Sequence, residues 1–494
     1  MRNGTLLAAV DLGSNSFRLE IGRHDHGQLE RVEYLKETVR QGAGLDESRN
    51  LTVDAMERGW ACLARFAERL AGFAPDQVRA VATQTLREAR NRDRFIDRAV
   101  QVLGFPIDVI SGREEARLIY EGVAHLLPQS GERRLVADIG GRSTELIVGQ
   151  HYDARVTESY RVGSVSWSTR YFAGGRVTEA AFERAVIAAR AVLEDALGAY
   201  GREQWDVAYG SAGTIGAVAD ILQRAGMTDG SLTSTGLDWV RERLLAAGDV
   251  EKVRLDGLKD DRRPVLAGGL SVLRALFDLL AIDEMQPAAG ALRHGVLHDM
   301  IEREEDRGAD VRSTTVKRLC VNFQVDAAQA ERVERVARHL FRQLRRGPPA
   351  SSREDEHQLG WAARLHGIGA LISHADAHKH GAYILENTDA PGFSQPELHR
   401  LALLVLGHRG KLRKLDADFH DASFVHQLMS LRLAVILCHA RREPDLKGLS
   451  LRIDAEQVRL SLRRGWAQAW PQSAHLLREE RLAWLRLPWS LVLE

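Results

Sequence analysis

The sequence predicts an α/β protein with two related lobes and a cleft between them, followed by an all-α domain and a small C-terminal subdomain. Three observations carry this prediction. Asp11-Leu12-Gly13-Ser14-Asn15-Ser16-Phe17-Arg18-Leu19 recurs as Asp138-Ile139-Gly140-Gly141-Arg142-Ser143-Thr144-Glu145-Leu146 at a constant offset of 127 residues, with Asp, Gly, Ser and Leu in register. Between and after the two copies, short strand-like runs alternate with helix-patterned segments, the pattern of an α/β fold. Past residue 306 the helical period takes over.

The elements follow in order. Leu6 to Val10 and Leu135 to Ala137 are short apolar runs ahead of the repeated Asp, and Leu19, Ile21 and Leu146 to Val148 resume after it. Each copy therefore reads as strand, tight polar turn, strand. Ala55 to Leu70 is helix-patterned, Val78 to Ala82 strand-like, Arg94 to Val102 helical and Ile107 to Ile110 a strand. After the second copy Phe182, Val186, Ala189, Leu193 and Leu197 share a helical face, and Trp205 to Tyr209 forms a strand running into Gly210-Ser211-Ala212-Gly213-Thr214 and another helix. The charged run from Glu302 to Arg307 marks a helix end or linker, and Gly347-Pro348-Pro349 interrupts the helical region beyond it. Alternating runs at Leu449 to Ile453 and Val458 to Leu462, with a Trp-rich helix, predict the terminal subdomain. The expected domains are 1–125, 126–306, 307–442 and 443–494.

The chain has 494 residues, 44% hydrophobic and 28% charged, which excludes disorder and collagen-like structure. No apolar run approaches the ~20 residues of a membrane span, and no signal peptide is expected. Cys62, Cys320 and Cys438 lack metal-ligand or CxxC spacing, which points to a reducing cytoplasm. The net charge is zero, yet residues 307–494 hold 29 Lys+Arg against 21 Asp+Glu and 12 of the 18 histidines, leaving 39 against 47 before them. Such asymmetry suits an anionic ligand met by the basic part, or two complementary faces docking on each other.

The chemistry concentrates in the turns. A Gly/Ser turn between strands presents several backbone N–H groups on one side, a concavity that takes phosphate oxygens, and the Ser16 and Ser143 hydroxyls add donors. Gly210 to Thr214 at a helix start supplies a third wall with its positive dipole end. Asp11 and Asp138 then offer carboxylate oxygens to Mg2+, which prefers carboxylate and phosphate together. No GxxxxGK[ST] segment occurs, so this is not a P-loop protein. In Ser111-Gly112-Arg113-Glu114-Glu115, Ser111 and Glu114 fit a capping box, leaving Glu115 about 100° further round the helix and free to face the cleft.

The strings DLGSNSFRL (11–19), TQTLREA (83–89), SGREEARLIYEGV (111–123), DIGGRSTEL (138–146) and GSAGTI (210–215) resemble the exopolyphosphatase and guanosine pentaphosphate phosphohydrolase family. That family belongs to the actin, sugar-kinase and chaperone-ATPase superfamily, so the resemblance implies ribonuclease-H-like lobes. HADAHKHGAYILENTDAPGFSQ (374–395) is similar to the helical, HD-like domain of the long bacterial exopolyphosphatases. By resemblance Glu115 is the general base. Asp138, Gly140, Glu145 and Asp11 surround the metal, Mg2+ or Mn2+. Phosphate oxygens fall to Asp11, Ser14, Asn15, Ser16, Arg87, Gly141, Arg142, Ser143, Thr144, Gly210, Ser211, Gly213 and Thr214, with His378 and Lys379 as further chain contacts.

Inorganic polyphosphate is the first expected substrate, with processive release of terminal orthophosphate, because a separate basic domain suits a long polyanion. Guanosine pentaphosphate is the second, and an actin- or kinase-like ATP-binding protein the alternative of another class. A cytoplasmic homodimer without nucleic-acid partners is expected. Two departures from the family pattern stand out. Arg142 replaces the usual Gly, to bind phosphate or narrow the pocket. His366 is followed by Gly367 where an HD metal site needs Asp, so the helical domain is read as a binding scaffold. His374, His378 and His380 are four and two residues apart, but without a carboxylate or Cys at matching spacing they are assigned to polyanion contact or ordinary hydrogen bonding. His408 to Lys414 is expected in a solvated basic loop.

Overall fold

The apolar run before Asp11 forms β1 (Thr5–Leu12), which turns at residues 13–15 into β2 (Ser16–Asp25) and then β3 (Gln28–Thr38). β4 (Val78–Ala82) and β5 (Ile107–Val109) add in parallel on the other side of β1, giving the order β3-β2-β1-β4-β5. The second copy forms β6 (Arg133–Ile139), β7 (Thr144–Gln150) and β8 (Asp153–Tyr160), joined by β9 (Val207–Ser211), β10 (Leu232–Thr233) and β11 (Glu284–Pro287) in the order β10-β11-β9-β6-β7-β8. Without β10 the two sheets have one topology: an antiparallel meander followed by two parallel strands. The correspondence reaches single residues. A β-bulge interrupts β2 at Ile21/Gly22 and β7 at Val148/Gly149, again 127 residues apart.

The structure is a computed structural model that describes residues 2–494 apart from 27, 306–310, 345–348, 389 and 486. It divides into two units, Met1–Gly308 and Ala309–Glu494. In the first, α1 (Val53–Arg69), α2 (Gln84–Glu88), α3 (Arg92–Leu103), α4 (Gly112–Ala124), α5 (Ser164–Tyr171), α6 (Glu179–Leu193), α7 (Leu197–Tyr200), α8 (Ala212–Arg224), α9 (Ser234–Ala247), α10 (Leu266–Leu280) and α11 (Leu292–Glu305) cover the sheets. α1 shows why they form: Thr52 Oγ1 accepts from the Ala55 amide at its start, and Met56, Gly59, Trp60, Leu63 and Phe66 bury one stripe. Each sheet has its own apolar core. A third core unites Leu7 and Ala9 of β1, Val136 of β6, Ile147 of β7, and the inner faces of α4 and α11. The two lobes thus share a core built on one helix pair.

The second unit contains α12 (Val311–Asn322), α13 (Ala327–Leu344), α14 (Pro349–Leu365), α15 (Ala377–Asn387), α16 (Gln395–Gly407), α17 (Ala422–Leu437), α18 (Trp466–Ala469) and α19 (Pro471–Ala483), with the small sheet β12 (Leu449–Asp454), β13 (Gln457–Leu462) and β14 (Ser490–Leu493). Leu451, Val458, Trp466 and Trp484 share a single core with the helices. Residues 306 and 307 of the charged run, and 347 and 348 of the Gly-Pro-Pro break, lie outside the described residues. Among the described residues no helix is long and apolar enough to cross a membrane.

Candidate active site

A cleft of about 400 Å³ opens between the two turns. Asp11 and Gly13 to Ser16 line one wall, Asp138 to Gly141 and Ser143 the other, and Ala212 and Gly213 at the start of α8 a third. Among the described residues the amides of Gly13, Ser14, Asn15, Gly141 and Ser143, all residues of the cleft lining, donate to no protein acceptor, which leaves two nests of free N–H groups at the cavity. α8 adds its own free amides. Its N-cap Ser211 makes no side-chain cap and instead donates its hydroxyl to Gly290 O at 2.8 Å. Ala212 takes φ +68°, a left-handed conformation costly to a residue with a Cβ, at the point where the chain turns into that helix.

Glu115 lines the cleft from the first turn of α4 and is 7% exposed. Arg87 Nη1 donates to its Oε2 at 2.7 Å, and Arg87 is further held by Ile110 O and Gln84 Oε1. Burial pushes the Glu115 carboxyl up, Arg87 pulls it down, Asp11 adds a smaller upward push, and the net direction is upward. Its neighbour Glu114 has a different task. Ser111 Oγ accepts from the Glu114 amide at 3.1 Å, while the fully buried Glu114 carboxylate receives both Nε and Nη2 of Arg117 at 2.8 Å.

The remaining carboxylates are unequally neutralised. Asp11 receives Arg18 Nη1 at 3.0 Å. Asp138, by contrast, faces Glu145 across the β6–β7 ladder. Burial, with a further push from the Glu115 charge, raises Asp138 to about 7, and burial together with Glu115 and Asp138 pushes Glu145 well up. These buried like charges are the donor set a hard divalent cation would relieve. Among the described residues they do not form a tight three-ligand group, so such an ion would take phosphate oxygens and water as its other ligands, the usual habit of Mg2+.

Several expected phosphate ligands are committed elsewhere. Arg142 turns away from the cleft, donating to Glu88 Oε2 at 2.8 Å and Gly42 O at 3.1 Å, so its side chain ties the lobes together. Arg87 serves Glu115. Thr144 Oγ1 is buried on Val162 O, and Thr214 packs against Gly269. Gly210 lies inside β9 against Ile215 and Met285. The Gly140 carbonyl accepts both the amide and hydroxyl of Ser164, which leaves Gly140 a role in turn shape and not as a metal ligand. His378 and Lys379 open α15 in the second unit, where Lys379 pairs with Asp376 at 2.9 Å. α15 begins at Ala377, so His374 precedes the helix and does not share a helical face with His378. His408 is buried, donating from Nδ1 to Val405 O, and is not part of an exposed basic loop.

The cleft also contains residues the sequence did not single out: Arg18, Tyr34, Lys36, Lys259, Arg262 and Arg293. Arg18 lay within the repeat itself, two positions past Ser16 and hence on the same strand face. Arg262 packs directly on Gly213, where any Cβ would collide with its guanidinium. Lys36 reaches Asp261 at 2.7 Å, a second tie between lobes, and the Arg293 guanidinium lies 4.8 Å from the Tyr34 ring centre. The loop at 259–262 carries no periodic signal, so nothing in the sequence marked it.

The comparisons with known proteins agree with this arrangement. The Ppx/GppA phosphatase family matches residues 20–304, and domain III of Ppx/GppA phosphatases matches residues 311–482. The guanosine-5′-triphosphate,3′-diphosphate pyrophosphatase of Vibrio atlanticus is 38% identical over 494 residues, 99% of this chain and 98% of the relative. That of Pseudoalteromonas translucida is 38% identical over 488 residues, 98% of this chain and 97% of the relative. Among solved structures, an exopolyphosphatase from Cytophaga hutchinsonii shares the fold at 22% identity and a TM-score of 0.55, over 60% of this chain and 98% of its own. The Aquifex aeolicus PPX-GPPA enzyme gives 25% identity and a TM-score of 0.50, over 59% of this chain and 98% of its own. Two actin-like lobes around a cleft of amide nests, followed by a further unit, therefore have a known counterpart: the chain belongs to the Ppx/GppA phosphatase family, hydrolases of phosphoanhydride bonds.

Proposed function

We propose that the chain removes the terminal 5′-phosphate of guanosine pentaphosphate, releasing orthophosphate and the tetraphosphate. The observation that carries this reading is the match of both units, end to end, to relatives named for that substrate, whereas the solved exopolyphosphatase corresponds to 60% of the chain. This reverses the order expected from charge alone. Polyphosphate ranked first because residues 307–494 are basic, but many of those cations are paired: Arg312 with Glu354 and Glu397, Arg364 with Glu334, Arg400 with Asp421 and Arg432 with Glu480. The pairing leaves the net excess of Lys and Arg unchanged, but it holds these four guanidiniums within the fold and away from a polyanion.

The chain's own groups divide the work. The amide nests and the start of α8 hold the oxygens of the terminal phosphate. Glu115, kept basic by burial and fixed in orientation by Arg87, takes a proton from the attacking water. Lys36, Lys259 and Arg262 offer positive charge to the second phosphate arm, and the Tyr34 ring offers a face to the purine. A divalent cation held by Asp138 and Glu145, with Asp11 beside them, would neutralise charge on the scissile phosphoryl group.

The test is orthophosphate release by the full chain from guanosine pentaphosphate and from long polyphosphate in parallel, both with Mg2+. The expected result is a kcat/KM at least about tenfold higher for the pentaphosphate, measured per chain end for the polymer. Preference for polyphosphate would return the first expectation to its place.

A further inference from the structure

α4 and α11 pack backbone to backbone. Gly122 faces the Ala291 carbonyl and Gly295 the Leu118 carbonyl, each too close for a methyl group. At the far end of this seam each helix brings a Glu and a His four residues apart, in opposite order: Glu121 on α4 with His125 at its C-cap, and His298 and Glu302 on α11. Glu121 Oε1 and His125 Nε2 lie 2.7 Å apart, and the ligand atoms of Glu121, His125 and Glu302 all fall within 4.8 Å of one another, the one such trio among the described residues. The His298 ring stacks on His125 with centres 3.7 Å apart and planes 6° from parallel.

The nearest arginines serve another carboxylate. Arg79, Arg117 and Arg303 converge on Asp299, one turn before Glu302. Partial burial and the nearby charges of Glu121 and Asp299 push the Glu302 carboxyl up, against weaker pulls from Arg117 and His125, and Glu302 has no ion-pair partner among the described residues. A further imidazole stands nearby. His24 of β2 is 3% exposed, neither ring nitrogen has a hydrogen-bond partner in the protein, and its charge is felt at His298.

We propose that Glu121, His125 and Glu302 form a second metal centre, separate from the catalytic cleft, that takes a divalent ion of the zinc class. One imidazole and two carboxylates from two helices match the ligand types of Zn2+, with a fourth position for water or for His298 after a side-chain rotation. A nitrogen ligand sets the site apart from the all-oxygen cleft and disfavours Mg2+. The ion would clamp α11 to α4 about two to three helical turns from Glu115.

The test uses full-length protein stripped with a chelator and titrated with Zn2+ alone, without substrate or Mg2+, by calorimetry and thermal unfolding. The wild type should take up Zn2+ and unfold at a higher temperature with it. Glu302→Gln, an exposed position, and His125→Asn should each bind one ion fewer or weaken that ion at least about tenfold, and lose most of the thermal shift. Matching far-UV circular dichroism of the metal-free variants shows that they fold. An Asp138→Asn control should retain the ion. Absence of Zn2+ uptake, unchanged affinity in either variant, or displacement by an equal concentration of Mg2+ would overturn the proposal.

Discussion

The two lobes share a topology, a bulge position and a phosphate-facing turn, and differ where the turn is anchored. At one register position the first lobe sets Arg18 opposite Asp11, and the second, 127 residues on, sets Glu145 opposite Asp138. The first pairing cancels charge. The second accumulates it, in a place where burial already makes a carboxylate expensive to ionise. A duplicated scaffold thereby acquires one wall suited to holding an anion directly and one suited to holding it through a cation. A symmetric pocket would have no reason to prefer attack from one side.

The largest effect should come from the group between the walls. Glu115→Gln is expected to lower kcat by ~10²–10⁴-fold with little change in KM, since it removes a base and leaves the phosphate nests intact. Steady-state orthophosphate release measures it; a change confined to KM would assign Glu115 to binding.

The second wall should respond next. Asp138→Asn is expected to raise the Mg2+ concentration for half-maximal rate at least about tenfold, and Asp11→Asn to raise it less. Stability gives an independent reading. Burial pushes the Asp138 carboxyl up from an ordinary 3.8 to about 7, so its contribution is full below about pH 4 and is lost as pH rises through 7. Metal-free Asp138→Asn should therefore melt higher than wild type at pH 8 and close to it at pH 4, by up to about 4 kcal/mol. Equal shifts at both pH values would break the contrast between the lobes.

The smallest effect belongs to the first wall. Arg18→Met leaves Asp11 without its 3.0 Å partner and makes the first lobe resemble the second. KM should rise about 5- to 30-fold, the loss of one charge-assisted contact, with kcat within about threefold.

Much of the first unit was legible in the sequence because its central strands are apolar on both faces and its turns carry repeated Gly and Ser. The edge strands were not. β3, with Glu30, Arg31, Glu33, Lys36 and Glu37, buries none of its residues, and β8 is similarly unburied, so neither shows an apolar period. The cleft's loops were legible as a set, but the partners of their side chains were not, since Arg142 finds Glu88 and Arg87 finds Glu115 only through folding. Composition likewise counted the charges of residues 307–494 but not which of them, such as Arg312 and Arg432, a carboxylate holds in the fold.

The glycine seam between α4 and α11 has a consequence for how this chain can vary. Gly122, Gly290 and Gly295 each meet backbone, not a flexible side chain, where a methyl would go, so nothing nearby can yield by changing rotamer. An added carbon there must move a whole helix, and α4 carries Glu115 at its head. Mutational drift at Gly122 and Gly295, which do not line the cleft, would be read out as lost turnover, as it would at Gly290 on the cleft wall. Three residues without side chains thus set the spacing tolerance of the machine, and a search for inactivating substitutions should find them as readily as the carboxylates.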